Sequence, residues 1–267
     1  MAEPAGTKSS GAQATNEHGQ DGDTSTVSTS GARESAVRIG LVLPDVMGTY
    51  GDGGNALVLR QRLLMRNIPA EIVSITLGDG VPDSMDIYTL GGAEDYAQRL
   101  ATRHLLEHPG MQRAAGRGAP VLAICAAIQV LGHWFLTGSG ERVDGVGLLD
   151  LTTSPRPTRA IGELAGTPLV EGLTQPLTGF ENHGGGSALG PDARPLSAVT
   201  RGVGNGAGDP VDGAVQGSVY GTYMHGPALA RNPEFADHLL ARAMGIDALE
   251  PLPIAEIDQL RRERLSA

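Results

Sequence analysis

The chain has 267 residues, a formal net charge of −10 and a single cysteine. One cysteine excludes an intramolecular disulfide and a zinc site built from several thiolates. The negative charge disfavours nucleic acid and anionic membranes as partners. The sequence shows no signal-peptide pattern and no apolar stretch of membrane length, so we expect a cytoplasmic protein without membrane insertion.

Lysine is nearly absent, since the only one is Lys8 near the amino terminus. Walker A phosphate loops and Schiff-base sites both depend on a lysine. The sequence also lacks a His-Glu-x-x-His pattern or a comparable metal-binding pair. We therefore expect no metal and no cofactor in this chain, and we expect any ATP-dependent step to need another chain.

The composition divides the chain into two parts. Residues 1–35 are mostly Gly, Ser, Thr, Ala, Gln and Asp, with almost no large apolar side chains. Such a segment buries too little apolar surface to offset the entropy of ordering, so it is predicted to be a disordered tail. Residues 36–267 are long enough for one large α/β domain.

The hydrophobic pattern of this domain alternates between strands and helices. In chain order it predicts a strand at 37–43, a helix at 55–67, strands at 71–77 and 86–90, a helix at 94–108, a strand at 120–124, a helix beginning in the run 128–135, a strand at 219–224, and helices at 233–244 and 254–265. Additional short strands are expected between residues 135 and 219. This alternation is typical of a mostly parallel sheet flanked by helices, with the active site at the carboxyl ends of the strands.

The first predicted helix has an apolar side and a charged side. We expect Ala56, Leu59, Leu63 and Leu64 to face the core, and Arg60, Arg62 and Arg66 to lie outside.

Cys125 lies where a nucleophile is displayed. It follows the apolar run 120–124 and precedes Ala126, Ala127 and a predicted helix, which is the strand–turn–helix layout of a nucleophile elbow. The helix N-terminus and a nearby base are expected to lower the pKa of its thiol. The alternative is a small buried core residue.

A cysteine nucleophile needs a base and an oxyanion hole. His225 ends the predicted strand 219–224 and is the candidate base. The candidate oxyanion donors are the backbone N–H of Ala126 and that of Gly92 in the 91–93 turn. All three stretches fall at predicted strand ends, which favours a Cys–His acyl-transfer site.

Six segments in this order resemble a known family. They are residues 50–55 (YGDGGN), 88–96 (YTLGGAEDY), 123–125 (AIC) with 129–132 (QVLG), 179–183 (GFENH), 204–206 (GNG) and 221–227 (GTYMHGP). The set resembles class I glutamine amidotransferases of the cobyric-acid-synthase-like branch. Within that branch it resembles the GatD-type glutaminase subunits of lipid II isoglutaminyl synthases. The resemblance implies a flavodoxin-like α/β fold.

The resemblance also implies a reaction and a partner. Cys125 attacks the side-chain amide of glutamine, and ammonia passes to a MurT-like Mur-ligase subunit in a heterodimer. That subunit holds ATP and Mg²⁺, and it amidates D-glutamate of lipid II to isoglutamine during peptidoglycan synthesis. A glutamine-binding arginine of the family matches Arg159 by position, with Arg156 as its competitor.

The chain departs from the family pattern at two places. Ala126 and Ala127 replace a common Gly-Gly pair, and Pro227 stands where many class I enzymes have a triad glutamate. The candidates for the third triad member are Asp52, Glu94, Asp95 and Glu181. Asp52 and Asn55 have the alternative role of starting a helix, and His183 that of shaping a loop.

Two other functions stay open at this point. The chain either supplies ammonia to a different synthetase, or it is a non-catalytic regulatory binding subunit.

Overall fold

The computed structural model describes residues 35–266, which lie within one compact unit. In chain order its elements are β1 (Val37–Val42), α1 (Gly54–Leu64), β2 (Ala70–Ile75), β3 (Ile87–Leu90), α2 (Asp95–Glu107), α3 (Gly110–Gly116), β4 (Val121–Ile124), α4 (Ala126–Leu131), β5 (Trp134–Leu136), β6 (Arg142–Asp144), β7 (Leu151–Pro168), β8 (Leu177–Leu189), β9 (Ser197–Arg201), β10 (Val211–Asp212), β11 (Ala214–Gln216), β12 (Val219–Thr222), α5 (Ala228–Arg231), α6 (Pro233–Met244) and α7 (Ala255–Ser266). The predicted tail, up to residue 34, lies outside the described residues.

A central sheet carries the strands that reach the site. Its order is β11-β12-β4-β3-β1-β2, and only the edge strand β11 runs antiparallel. β3 and β4 are buried at every position, as expected for strands covered by helices on both faces. The predicted mostly parallel sheet is therefore confirmed.

A second sheet follows the order β10-β9-β7-β5-β6, with β8 paired to β7. β7 has 18 residues and β8 has 13, so the predicted short strands in this half are wrong for these two. Their antiparallel pairing is interrupted between Pro155 and Ala160. The irregular stretch of β7 includes Arg159.

Helix α1 differs from its predicted orientation. Leu64 is 37% exposed, whereas Arg62 is buried. The Arg62 guanidinium donates to both carboxylate oxygens of Asp237 at 2.7 and 2.6 Å. An arginine is tolerated in this position because a bidentate partner on α6 satisfies it.

The other predicted elements agree with the structure to within a few residues, with three differences. Trp134 belongs to a strand and not to the helix before it, because α4 ends at Leu131. The short helices α3 and α5 were not expected from the pattern. Among the described residues, no helix is long and apolar enough to cross a membrane.

Candidate active site

Cys125 forms a strained turn between β4 and α4. Its backbone has φ 54° and ψ −110°, a conformation that a non-glycine residue rarely adopts. The turn is fixed by the Cys125 N–H, which donates to the Thr222 carbonyl at 2.9 Å. The side chain is buried, with only 5% of the residue exposed. The backbone therefore has the geometry predicted for a nucleophile elbow.

His225 and Asp52 form a buried pair close to this turn. β12 and β4 are parallel neighbours with Thr222 opposite Ile124, so their ends bring His225 and Cys125 to the same edge of the sheet. The Nδ1 atom of His225 lies 2.9 Å from Asp52 Oδ1. A carboxylate accepts, so the Nδ1–H group donates to Asp52, and in the neutral imidazole this leaves the lone pair on Nε2.

The Nε2 atom of His225 is buried and has no hydrogen-bond partner among residues 35–266. A buried polar atom is rarely left without a partner. The base nitrogen of the histidine is therefore free to take a proton from an adjacent group. General-base activation of a thiol needs a ring nitrogen that is unengaged in this way, although no hydrogen bond joins this one to the Cys125 sulfur among residues 35–266.

The backbone around His225 is held from two sides. Its N–H donates to the Phe180 carbonyl at 2.8 Å, and its carbonyl accepts the Phe180 N–H at 3.1 Å. The buried Asp212 accepts from the Thr222 hydroxyl at 2.6 Å and from the Tyr223 N–H at 3.1 Å. These contacts fix the strand end that carries the imidazole.

Asp52 does not act as a helix cap. The residue before α1 is Gly53, and no side chain caps that helix. Asn55 is also engaged elsewhere, because its Oδ1 accepts the Leu229 N–H at 2.9 Å. Of the four carboxylates considered from the sequence, Asp52 is the one that orients His225.

The remaining three carboxylates have other partners. Glu94 accepts the Tyr50 hydroxyl, and Asp95 accepts the Gly138 N–H at 2.8 Å. Glu181 is buried and accepts the N–H groups of Val203 and Gly204. Its Oε2 atom also lies 3.3 Å from His183 Nε2. Glu181 therefore stabilises a loop and is not the partner of His225.

The protonation state of Cys125 differs from the sequence prediction. Burial raises the pKa of its thiol to about 12, and the Asp52 carboxylate adds to the rise. The Ala126 N–H, which donates toward the sulfur, and the Arg159 guanidinium both lower this pKa. Each lowers it by less than burial raises it. Burial is the largest of these contributions, so it opposes thiolate formation at Cys125.

The predicted oxyanion donors are not equally available. The Gly92 N–H donates to Asp52 Oδ2 at 2.8 Å, so the prediction of a free donor at Gly92 does not agree with this geometry. Its lack of a side chain matters instead, because a Cβ there would lie 3.2 Å from the His225 ring and 3.1 Å from the Tyr50 ring. Ala126 begins α4 and lines the cavity beside Cys125.

A cavity of about 210 Å³ opens beside Cys125. It is smaller than the ~300–1,000 Å³ typical of sites for drug-sized ligands, so it suits a small substrate. Its polar lining comes from Tyr50, Glu94, Asp95, Gln98, Gln129, Arg159, Asn182 and His183. An amino acid with two charged groups and an amide matches this polar character.

The structure separates the two candidate arginines. Arg159 lines the cavity, and its Nε donates to Asn182 Oδ1 at 2.7 Å. Arg156 packs against the backbone of Gly186 and Gly206 and is not part of the cavity wall. Arg159 is therefore the arginine available to a ligand next to Cys125.

Two aromatic residues of the site were not assigned a role from the sequence. The Tyr50 ring lies 5.1 Å from the His225 ring, measured between centroids. The Tyr223 ring stacks on the His183 ring with 3.9 Å between centroids, and the Tyr223 hydroxyl forms a hydrogen bond of 2.7 Å with the Ser187 hydroxyl. Their proximity depends on pairings between distant segments, although both residues lie within the recognised motifs.

Comparison with protein families gives one match over most of the described chain. Residues 38–233 match the CobB/CobQ-like glutamine amidotransferase domain. The lipid II isoglutaminyl synthase (glutamine-hydrolyzing) subunit GatD of Staphylococcus aureus is 37% identical over 205 residues, which cover 75% of this chain and 82% of that protein. The GatD subunit of Streptococcus pneumoniae is 32% identical over 204 residues, which cover 75% of this chain and 77% of that protein.

A longer relative matches over part of its length. The probable cobyric acid synthase of Methanothermobacter thermautotrophicus is 34% identical over 194 residues, which cover 67% of this chain but 37% of that protein. Among solved structures, a glutamine amidotransferase superposes with a TM-score of 0.51 at 17% identity, covering 77% of this chain and 98% of that one. The glutaminase domain of Trypanosoma brucei CTPS with bound acivicin gives 0.50 at 10% identity, covering 83% and 99%. These likenesses confirm the predicted fold.

Proposed function

Because the chain belongs to the CobB/CobQ-like glutamine amidotransferase family, we propose that it hydrolyses glutamine and supplies ammonia to a Mur-ligase-like synthetase that amidates lipid II. The match to two GatD subunits over more than three quarters of their length supports this choice. The single observation that carries the chemistry is the meeting of Cys125 and the His225–Asp52 pair at one sheet edge, beside a polar cavity.

The first half of the reaction forms a thioester. His225 Nε2 takes the proton of the Cys125 thiol, and the sulfur attacks the side-chain amide carbon of glutamine. The tetrahedral intermediate then collapses, and the imidazolium returns the proton to the leaving nitrogen, which departs as ammonia. Asp52 stabilises the imidazolium throughout, because its carboxylate faces Nδ1–H.

The second half regenerates the enzyme. His225 deprotonates a water molecule, and the resulting hydroxide attacks the γ-glutamyl thioester. The carbon–sulfur bond breaks, the sulfur regains a proton from the imidazolium, and glutamate leaves. One glutamine and one water thus give one glutamate and one ammonia.

The negative oxygen of both tetrahedral intermediates needs backbone donors. We assign this role to the N–H groups of Ala126 and Ala93, which both line the cavity. Gly92, one residue before Ala93, is already bound to Asp52. Ala93 is the next residue of the same turn, and its N–H donates to no group among the described residues.

The acceptor chemistry belongs to a partner in this proposal. Activating the α-carboxyl of D-glutamate requires ATP and Mg²⁺, which we assign to a MurT-like subunit in a heterodimer. Residues 35–266 contain no lysine, and the sequence has no phosphate loop for a nucleotide. This is the division of labour expected of a cytoplasmic, peptidoglycan-building pair.

A second candidate function keeps the same site but changes the acceptor. The 34% identity with a probable cobyric acid synthase supports an ammonia supplier for another synthetase. The two functions differ in the chain that binds this one. Identification of the protein that co-purifies from the native cell separates them.

The proposal is tested with the purified pair of subunits. Glutamine, ATP and lipid II should give glutamate and amidated lipid II in equal amounts. The Cys125→Ala complex should remain assembled, lose both products with glutamine, and still amidate lipid II with ammonium chloride. Glutamate release by the Cys125→Ala complex at the wild-type rate would refute the mechanism.

A further inference from the structure

Glu94 lines the cavity, and its carboxylate does not cap the helix that follows it. It is the residue before α2, yet its side chain makes no capping hydrogen bond. Its Oε1 instead accepts the Tyr50 hydroxyl at 2.5 Å, and Glu94 lines the cavity beside Cys125. Capping a helix is the ordinary role of a polar residue at this position, and it does not apply here.

Charged groups of opposite sign lie at the mouth of the cavity. Arg159 Nη2 lies 3.5 Å from the Tyr50 hydroxyl oxygen, the same group that donates to Glu94. Glu94, Tyr50 and Arg159 therefore form a row with an anion at one end and a cation at the other. Glu94 and Arg159 are both exposed to an incoming ligand.

Glu94 and Asp95 are both carboxylates of the cavity wall, and each has one oxygen engaged. Glu94 is the more exposed of the two and shares its partner Tyr50 with Arg159, whereas Asp95 accepts the Gly138 N–H at 2.8 Å. The second oxygen of Glu94 accepts no hydrogen bond from the described residues. A carboxylate with a free oxygen is a natural partner for an ammonium group.

We propose that Glu94 binds the α-ammonium group of glutamine while Arg159 binds its α-carboxylate, so that the Glu94–Tyr50–Arg159 row selects the free amino acid. This inference rests on the proposed glutaminase function and names what fixes its substrate class. Glutamine inside a peptide, or an analogue without the α-amino group, lacks the cation that Glu94 needs.

The test compares Glu94→Gln with wild type in the subunit complex, using glutamine and 4-carbamoylbutanoate, which lacks the α-amino group. We expect Glu94→Gln to lose about tenfold in kcat/KM for glutamine, mainly through a higher KM. Its kcat/KM for 4-carbamoylbutanoate should stay within about twofold of wild type. The charge-retaining Glu94→Asp should keep the preference for glutamine.

The matched control is Glu141→Gln, which removes one negative charge from an exposed ion pair with Arg99 on α2. It should leave both substrates unaffected, because exposed pairs of this kind contribute little. A second readout is protection of Cys125 from iodoacetamide by glutamine, which should need a higher glutamine concentration in Glu94→Gln.

The outcomes separate the two levels of the argument. If wild type hydrolyses glutamine and Glu94→Gln keeps the full preference for glutamine, the role of Glu94 is refuted while the proposed function stands. If wild type binds glutamine by the protection assay but never hydrolyses it, the proposed function fails. The protection shift in Glu94→Gln then still decides the role of Glu94.

Discussion

The Cys125 thiol lies among groups that oppose its ionisation. Burial raises its pKa to about 12, well above the ~8.5 of an ordinary cysteine. We therefore expect iodoacetamide to alkylate Cys125 slowly at pH 7 in the absence of glutamine, with a rate that still rises beyond pH 10. The measurement is the alkylation rate as a function of pH, and a plateau below pH 8 would contradict it.

Asp52 accepts a hydrogen bond from His225 Nδ1 at 2.9 Å, and in the proposed mechanism it stabilises the imidazolium. Replacing the carboxylate with an amide, in Asp52→Asn, removes its negative charge and allows the wrong tautomer. We expect kcat for glutamine hydrolysis to fall roughly 10²–10⁴-fold, with KM nearly unchanged. The control Asp45→Asn alters a carboxylate that accepts the Leu77 N–H at 3.1 Å and does not line the cavity, so it should keep wild-type kcat. Equal activity of both variants would exclude Asp52 from the mechanism.

Arg156 and Arg159 are both arginines and lie three positions apart in the sequence. They therefore form a natural pair for comparison. Because Arg159 lines the cavity, Arg159→Ala should reduce kcat/KM for glutamine by at least about tenfold, and Arg159→Lys should not restore a two-pronged contact. Arg156→Ala should leave KM near wild type. Steady-state kinetics on the three variants decides, and the opposite pattern would move the carboxylate site to Arg156.

The sequence predicted single residues well where local context was sufficient. Cys125 is recognisable because a buried strand and small residues flank it. Asp52 was only one of four candidates, since its partner His225 is 173 positions away along the chain. Gly92 was predicted as a donor because the engagement of its N–H by Asp52 depends on the same long-range pairing.

At the scale of elements, α1 is tied to the rest of the fold by charge as well as by apolar contacts. Asp237 on α6 accepts from both Arg62 and Arg66 of this region. The loop that carries Asp52 leads directly into α1, so the position of this helix affects the site. A buried arginine left without its partner is costly.

Asp237→Ala should therefore lower the free energy of unfolding by about 3–5 kcal/mol, as expected when one partner of a buried ion pair is removed. The comparison is Glu71→Ala, which breaks the exposed pair with Arg38 and should cost less than about 1 kcal/mol. Urea denaturation of both variants gives the two values. Similar losses would show that burial of the Arg62–Asp237 pair has no special weight.

A helix or strand can be predicted from the sequence when the residues that define it are neighbours in the chain. Helix α6 has Pro233 at its first turn and Gly245 with φ 68° just after it, which are strong signals for a start and an end. Strands β7 and β8 carry many Gly and Pro residues, so they suggested turns. Only their mutual pairing over most of their length makes them long strands.

At the scale of the whole molecule, the site needs both sheets. The parallel sheet supplies the ends of β4 and β12, which carry Cys125 and His225. The second sheet supplies Arg159 from β7 and Asn182 from β8, which form the opposite wall of the cavity. In the proposed function, the nucleophile and its base thus come from the parallel sheet, whereas Arg159 comes from the second sheet.

A glutaminase that releases ammonia into water would waste glutamine, because ammonia is protonated and diluted before it reaches an acceptor. We therefore predict protected transfer from Cys125 to the synthetase within the complex. With glutamine as the nitrogen source, amidation of lipid II should continue when an ammonia-consuming enzyme is added. The matched control is the Cys125→Ala complex supplied with ammonium chloride, whose amidation should stop under the same conditions. If the scavenger stops both reactions equally, ammonia passes through bulk water and the two active sites are not connected.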